Sequence, residues 1–184
     1  MTIMFEPDTL ARFAMQEFGF SNAGPLDPHN IRLRPEVRQM CAADRCQKFG
    51  RNWSCPPAIG SLTQIADRLK AFNSGVLLQS TAQLEDDFDI DTMLQAETDH
   101  KAALWRLAEH LREQAWEILP MPAGSCTYCE VCTFPSAPCR FPQRMTPSLE
   151  AAGVVVSDLC SDNGLPYYYG PLTITYTSAI LFTR

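Results

Sequence analysis

The sequence has no long hydrophobic run and no excess of positive charge. No apolar stretch approaches the ~18 consecutive residues that a membrane-spanning helix needs, so we expect no membrane partner. The opening residues, Met-Thr-Ile-Met-Phe-Glu, lack the basic and apolar segments of a signal peptide, which favours a cytoplasmic location. The formal net charge of -6 argues against a nucleic-acid partner, because phosphate binding needs a basic surface.

Histidine is also scarce, with three residues in the chain. His100 and His110 fall on one predicted helix about three turns apart, so they cannot share a metal ion through that helix. We expect both of them, and His29, to be ordinary surface or boundary residues. Internal repeats and low-complexity segments are absent, and 184 residues are enough for one sizeable core. We therefore expect a single domain spanning residues 1–184.

Cysteine is the residue that the chain has in excess, with eight in total. In a secreted protein these cysteines would suggest disulfides, whereas in a reducing cytosol they suggest metal ligands. A chain of this length also has no need of disulfides to compensate for a missing core. We favour metal binding over disulfides and over unrelated buried thiols.

Four of the cysteines fall within residues 126–139, which we call the second cysteine loop. The spacing is C-x2-C-x2-C-x6-C, on Cys126, Cys129, Cys132 and Cys139. Bacterial ferredoxins open a cluster loop with the same short steps but continue with C-x3-C-P, whereas the fourth step here is longer. Three thiols at equal steps suit one face of an iron–sulfur cube better than the separated pairs of a zinc finger. The pattern predicts a [4Fe–4S] centre, with zinc as the alternative.

Three more cysteines, Cys41, Cys46 and Cys55, define the first cysteine loop, residues 41–55. Trp53 precedes the last of them and two prolines follow it; such residues stiffen the backbone and keep water from a cluster. We predict a second metal site here, and a turn that merely contains cysteines is the alternative. Three thiols do not close a four-iron cube. Either Cys160 completes a second centre, or one iron stays open, or a cysteine crosses between the loops.

Arginines flank both loops, at Arg38, Arg45, Arg51, Arg140 and Arg144. A cluster held by four thiolates carries negative charge, which nearby guanidinium groups would offset. A pocket for an anionic substrate and simple surface solubility are the alternatives. We select Arg45, Arg51 and Arg140, together with Trp53, as candidate cofactor-binding residues.

Hydrophobic periodicity predicts a mixed α/β fold with a small sheet, a long packed helix and cysteine-rich loops at strand ends. Predicted helices cover residues 7–18, 35–40, 61–72 and 90–119, and a short helix begins after Thr146. Predicted strands cover residues 31–33, 75–81, 154–156 and 172–182, with a short strand leading into the second cysteine loop. Residues 21–30 contain two X-Pro turn signals and are predicted to be a loop.

A series of linked motifs resembles a known family over most of the chain. The motifs are Cys41-x4-Cys46, Asn52-Trp53-x-Cys55-Pro56-Pro57, Gly124-x-Cys126-x2-Cys129-x2-Cys132-x5-Pro138-Cys139-Arg140-x-Pro142 and Ser148-Leu149-Glu150-Ala151-x-Gly153. They resemble the cysteine-rich domain-of-unknown-function family of predicted metal-binding proteins. The resemblance implies a metal or iron–sulfur role for the seven matching cysteines, leaves Cys160 outside the pattern, and supplies no reaction.

These observations predict an iron–sulfur protein with one or two clusters that acts in electron transfer or as an accessory reductase. One alternative is an enzyme whose open cluster iron binds a small anionic substrate. Another is a zinc-stabilised binding module. The sequence does not identify catalytic residues, a redox partner, a substrate or an oligomeric state.

Overall fold

A computed structural model describes residues 6–183 of the chain. The helices in this range are α1 Pro7–Phe18, α2 Pro35–Ala42, α3 Leu62–Leu69, α4 Ile90–Glu113, α5 Leu149–Ala152 and α6 Val156–Asp162. The strands are β1 Asn22–Leu26, β2 Ser74–Gln83, β3 Ile118–Met121 and β4 Thr173–Phe182. Two 3-10 turns lie at Pro28–Asn30 and Pro142–Arg144. The predicted mixed fold with one long helix is confirmed.

The four strands form one antiparallel sheet in the order β1-β2-β4-β3. β2 and β4 pair along their whole length, from Ser74 opposite Phe182 to Gln83 opposite Thr173. β1 lies at the edge of the sheet. The prediction of a loop over residues 21–30 is wrong, because residues 22–26 form this strand. Pro25 has no backbone N–H to donate, and an edge strand tolerates it because one side of the strand needs no partner.

Helices cover both faces of the sheet. Side chains alternate between the two faces along a strand, so the apolar central strands present a face for packing on each side. Val76 and Leu78 of β2 pack with α1 and α4 in one core, whereas Leu77 packs with α3, α5 and α6 in the other. The predicted apolar stripe on α4 lies in the first core through Leu104 and Leu107. This packing fixes α4 against the sheet beside the second cysteine loop.

The predicted end of the long helix is wrong. α4 stops at Glu113, and Ala115 then has a left-handed backbone with φ 60°. Ile118, which fits the helical spacing in the sequence, instead begins β3. The short turn between them returns the chain to the sheet and leads it into the second cysteine loop.

Two short predicted strands are also wrong. Residues 31–33 and 154–156 reduce to a single antiparallel bridge between Leu33 and Val154. Val156 is the first residue of α6 rather than part of a strand. The preceding helix, α5, begins after Ser148 and not after Thr146, because the Ser148 hydroxyl caps it.

The two cysteine loops leave different parts of the fold. The second follows β3, at a strand end as predicted, whereas the first joins α2 to α3 and leaves no strand. Among the described residues, none of the helices has both the length and the apolar character that crossing a bilayer requires.

Candidate metal centre

The four cysteines of the second cysteine loop line one shared cavity. The cavity has a volume of about 20 Å³, and Asn52, Trp53 and Arg140 also line it. Burial raises the pKa of Cys126; a backbone hydrogen bond with Tyr128 lowers it, and the three other thiols of the loop raise it through charge repulsion. The structure therefore brings the predicted ligands Cys126, Cys129, Cys132 and Cys139 together.

The first cysteine loop meets this cluster through one buried thiol. Cys55 is buried, Cys41 is half-buried near the end of α2, and Cys46 is exposed. Burial raises the pKa of Cys55 to about 11; the Ser54 hydroxyl opposes this, and Cys46, Cys41 and Cys126 add to it by charge repulsion. Cys55 thus lies within electrostatic reach of both loops.

Two buried polar side chains fasten the loops to each other. Asn52 donates from Nδ2 to the Cys126 carbonyl at 2.9 Å, and its Oδ1 accepts from the Ser54 backbone N–H and hydroxyl. The Ser54 hydroxyl oxygen also accepts from the Cys126 N–H at 2.9 Å. Both backbone polar groups of Cys126 are therefore bonded to side chains of the three-residue segment 52–54 that leads into Cys55.

Trp53 contacts the second cysteine loop, whereas its place in the sequence suggests a residue that keeps water from a cluster in the first. Its indole N–H donates to the Ala137 carbonyl at 3.1 Å, and its ring meets Phe134 edge-on at a centroid distance of 4.9 Å. Arg140 closes the same loop by donating to the Val131 carbonyl at 3.0 Å. These contacts give the segment between Cys132 and Cys139 a defined shape.

The chain just before Cys126 is held by two charged side chains, buried Lys101 and half-buried Glu150. Lys101 of α4 donates to the Ser125 carbonyl at 2.8 Å and is paired with Glu97. The carboxylate of Glu150 accepts from the Gly124 N–H at 3.2 Å. The backbone at residues 124–125, which leads into the second cysteine loop, is therefore hydrogen-bonded to side chains of both α4 and α5.

His100 contacts the segment that leads into the second cysteine loop indirectly, through the Ser178 hydroxyl. Its Nε2 lies 2.7 Å from the Ser178 hydroxyl, which accepts from the Ala123 N–H, and its Nδ1 lies 2.8 Å from the Ser80 hydroxyl. Burial and, to a smaller extent, the charge on Lys101 together lower the pKa of His100 to about 3. His100 is 1% exposed, so the prediction of a surface or boundary histidine is wrong.

The flanking arginines have separate roles. Arg45 and Arg51 are both exposed, and the Arg51 guanidinium lies 3.9 Å from the Asp44 carboxylate. Arg38 donates to the carbonyls of Ala151 and Gly60. Burial lowers the pKa of Arg38, and the neighbouring Cys41 opposes that shift. Of the predicted cofactor-binding arginines, only Arg140 lines the cysteine cavity.

Cys160 lies apart in the structure, among residues of the sheet. It is fully buried on α6, and the Gln79 amide of β2 lies 3.5 Å from its sulfur. Burial raises its pKa, and hydrogen bonds with Thr177 and Gln79 oppose the shift. These contacts are those of a core thiol packed under a polar network.

The donor set suits a soft metal, because seven thiols supply only sulfur ligands. The distances between these thiols do not match those around a bound metal. Within residues 6–183, no three Cys, His, Asp or Glu side chains converge closely enough to hold one ion. Thiolates around one zinc ion lie about 3.8 Å apart, and a cavity that holds about one water is smaller than an iron–sulfur cube.

Sequence reasoning missed the residues that hold the loops in place. Asn52 and Ser54 form an Asx-type turn, and Asn-x-Ser directly before a cysteine is the local signal that could have revealed it. Lys101 and His100 carry no such signal, because the partners through which they hold this segment, Ser125 and Ser178, are 24 and 78 residues away along the chain.

A comparison with protein families identifies the family of this chain. The model of the family described as "predicted metal-binding protein (DUF2284)" covers residues 24–182. The chain belongs to this family. All eight cysteines of the chain are free thiols, and the family description agrees with a metal-binding role for a cysteine-rich protein. No curated protein and no solved structure matches the chain.

Proposed function

We propose that this member of the family is an iron–sulfur protein with one or two [4Fe–4S] clusters, acting in electron transfer or as an accessory reductase. The ligands would come from the second cysteine loop and from Cys41, Cys46 and Cys55. We place this role in the cytoplasm, where reducing conditions prevent disulfides and leave thiols free to bind a metal.

The observation that supports the proposal is the shared cavity of four cysteines, with Cys126 of that set close to Cys55 of the other loop. An all-sulfur donor set of this size is typical of iron–sulfur proteins, whereas structural zinc sites take four ligands from two short pairs. Two adjoining thiol sets also suit the passage of single electrons.

The chain's own residues would position the thiols and limit water. Asn52 and Ser54 fix the backbone of Cys126, and the aromatic rings of Trp53 and Phe134 cover one side of the loop. Arg140 lines the cavity and supplies positive charge beside the thiols. An iron–sulfur cluster supplies one-electron oxidation and reduction when bound.

A second candidate function is an enzyme that binds a small anionic substrate at an open iron of the first loop. Hydrogen bonds of Cys160 to the sheet favour this candidate, because they engage the thiol that could have closed the site. Three thiolates would then leave one metal position free for a ligand.

Purification without oxygen, followed by iron, acid-labile sulfide and zinc analysis, tests the proposal. We expect iron and sulfide in equal amounts and a visible absorbance that bleaches on reduction. Stoichiometric zinc without colour would instead identify a zinc-stabilised binding module and reject the proposal. Replacing Cys160 with Ala tests the second candidate: the open site requires full iron content in this variant, and a clear loss of iron would make Cys160 a ligand and reject the open site.

A further inference from the structure

A second, larger cleft lies directly beside the second cysteine loop. It runs between α4 and the start of that loop and has a volume of about 390 Å³, within the range of small-molecule pockets. Cys126 and Tyr128 line both this cleft and the cysteine cavity. A molecule in the cleft would therefore touch the loop that carries the thiols.

The charge lining the cleft is opposite to that of the whole chain. Lys101, Arg106 and Arg144 line it, whereas the nearby carboxylates are Glu109, which pairs with Arg144, and Glu97, which pairs with Lys101. The cleft therefore keeps an excess of one positive charge, although the chain has a net charge of -6. Such a local reversal of charge attracts anions into a recess with apolar walls.

Lys101 supplies a buried positive charge at this site. Its side chain is 9% exposed, and its ammonium group donates to Glu97 and to the Ser125 carbonyl. An ammonium group has three N–H donors, so one remains after these two contacts. Arg106 forms no ion pair within residues 6–183 and donates only a long 3.4 Å bond to the Phe18 carbonyl. Both cations keep donor capacity for a ligand.

Two aromatic rings and a guanidinium group also line the cleft. The Arg144 guanidinium carbon lies 4.2 Å from the centre of the Tyr128 ring and 5.1 Å from that of Trp105. Glu109 holds this guanidinium at 2.5 Å. Tyr128 is 51% exposed, so part of its ring stays available. Aromatic faces and a planar guanidinium stack well on a flat ring.

We propose that this cleft binds a small organic anion with a flat aromatic body. The anionic group lies at Lys101 and Arg106, and the ring lies against Tyr128, Trp105 and Arg144. The binding itself does not depend on a metal. Its functional link, through Cys126, rests on the proposed redox role, in which the bound molecule is the reaction partner of the loop.

Calorimetric titration of the purified protein with three matched probes tests the ligand class. The probes are 2-naphthoate, its neutral analogue 2-naphthamide, and the non-planar decahydro-2-naphthoate. We expect 2-naphthoate to bind with a Kd below about 1 mM and each analogue to bind at least about fivefold more weakly. Equal binding of the acid and the amide, or no saturable binding of 2-naphthoate, would overturn the proposal.

Two variants test the location. Arg106→Gln should weaken 2-naphthoate by about five- to tenfold and leave 2-naphthamide unchanged, whereas Arg12→Gln on α1 removes the same charge outside the cleft and should change neither. Ala102→Trp places a bulky ring in the cleft from an exposed helical position and should abolish binding; Gln95→Trp on the same helix is its control. Unchanged binding in both cleft variants would overturn the location.

Metal analysis of the same samples separates the two proposals. Binding of 2-naphthoate to a protein that holds zinc or no metal supports the cleft and rejects the redox role. Iron and sulfide in full amount, with no binding of the probe, rejects the cleft and leaves the redox role standing. Both cleft variants should keep the metal content of the parent protein.

Discussion

The two cysteine loops differ in how the rest of the protein holds them. The second is fixed at its start by side chains from α4, α5 and β4, and both backbone groups of Cys126 are bonded. The first has one buried thiol, Cys55, an exposed thiol, Cys46, and left-handed backbone at Asp44 and Gln47. The second loop therefore depends on tertiary contacts, whereas the first depends on the packing around Cys55.

This contrast also divides the response to pH. The second loop is supported by a histidine that burial keeps neutral, so acid acts on it. The first loop meets the second at a thiol that burial keeps protonated, so alkali acts there. The predictions below test this division, beginning with the largest expected effect.

Loss of one thiol in the second loop should remove most of the metal that this loop holds. We expect Cys129→Ser to lose at least about half of the metal bound to the whole protein, because the ligands of a site act together. Cys160→Ser is the matched control, since Cys160 packs under the sheet, and it should keep its metal. Metal analysis of both variants checks this, and equal metal contents would contradict it.

Acid should destabilise the metal-free protein through His100. Its pKa is lowered from 6.5 to about 3 by burial, so between these values the unfolded chain binds a proton that the folded chain excludes. Stability is complete above pH 6.5 and falls as the pH decreases, by at most about 1.4 kcal/mol per pH unit.

Urea unfolding between pH 7 and pH 4 measures this slope, with about 3 kcal/mol expected over the range. His100→Gln should flatten the curve, because it removes the titrating group, while the carboxylates common to both proteins contribute equally. Identical slopes in the two proteins would show that His100 does not couple stability to pH.

Removal of the Asn52 side chain should loosen the contact between the two loops. Asn52→Ala deletes two buried hydrogen bonds and one partly buried one and leaves the Cys126 carbonyl without this donor, which should cost about 2–3 kcal/mol of unfolding free energy. Asn73→Ala changes an exposed asparagine and is the control. A similar loss in both variants would mean that Asn52 does not fasten the loops.

Local signals account for the parts of the fold that the sequence predicts well. α1 has the predicted bounds because Pro7 suits the first turn and Gly19 takes a left-handed backbone at its end. Ser61 caps α3 through a complete capping box with Gln64, although the helix ends earlier than predicted. In each case the residues that decide the boundary are neighbours in the chain.

The errors arise where distant contacts override local signals. Gly24-Pro25 is a turn signal, yet hydrogen bonding to β2 makes it part of an edge strand. The apolar spacing of α4 continues to Ile118, yet that residue belongs to the sheet. The cysteines could be selected as candidate ligands by spacing alone, whereas Lys101 and His100 could not, because their partners come from other elements.

Alkali should produce the smallest effect, and it should arise in the first loop. Burial raises the pKa of Cys55 from 9.0 to about 11, so the unfolded chain loses this proton before the folded chain does. The stabilising contribution is complete below pH 9 and declines as the pH rises towards 11. We expect a loss of about 1 kcal/mol between pH 8.5 and pH 10 in metal-free protein. Cys55→Ala should remove this contribution, so its unfolding free energy should fall less between pH 8.5 and pH 10 than that of the parent protein. An equal fall in the two proteins, measured by denaturant unfolding, would contradict the assignment.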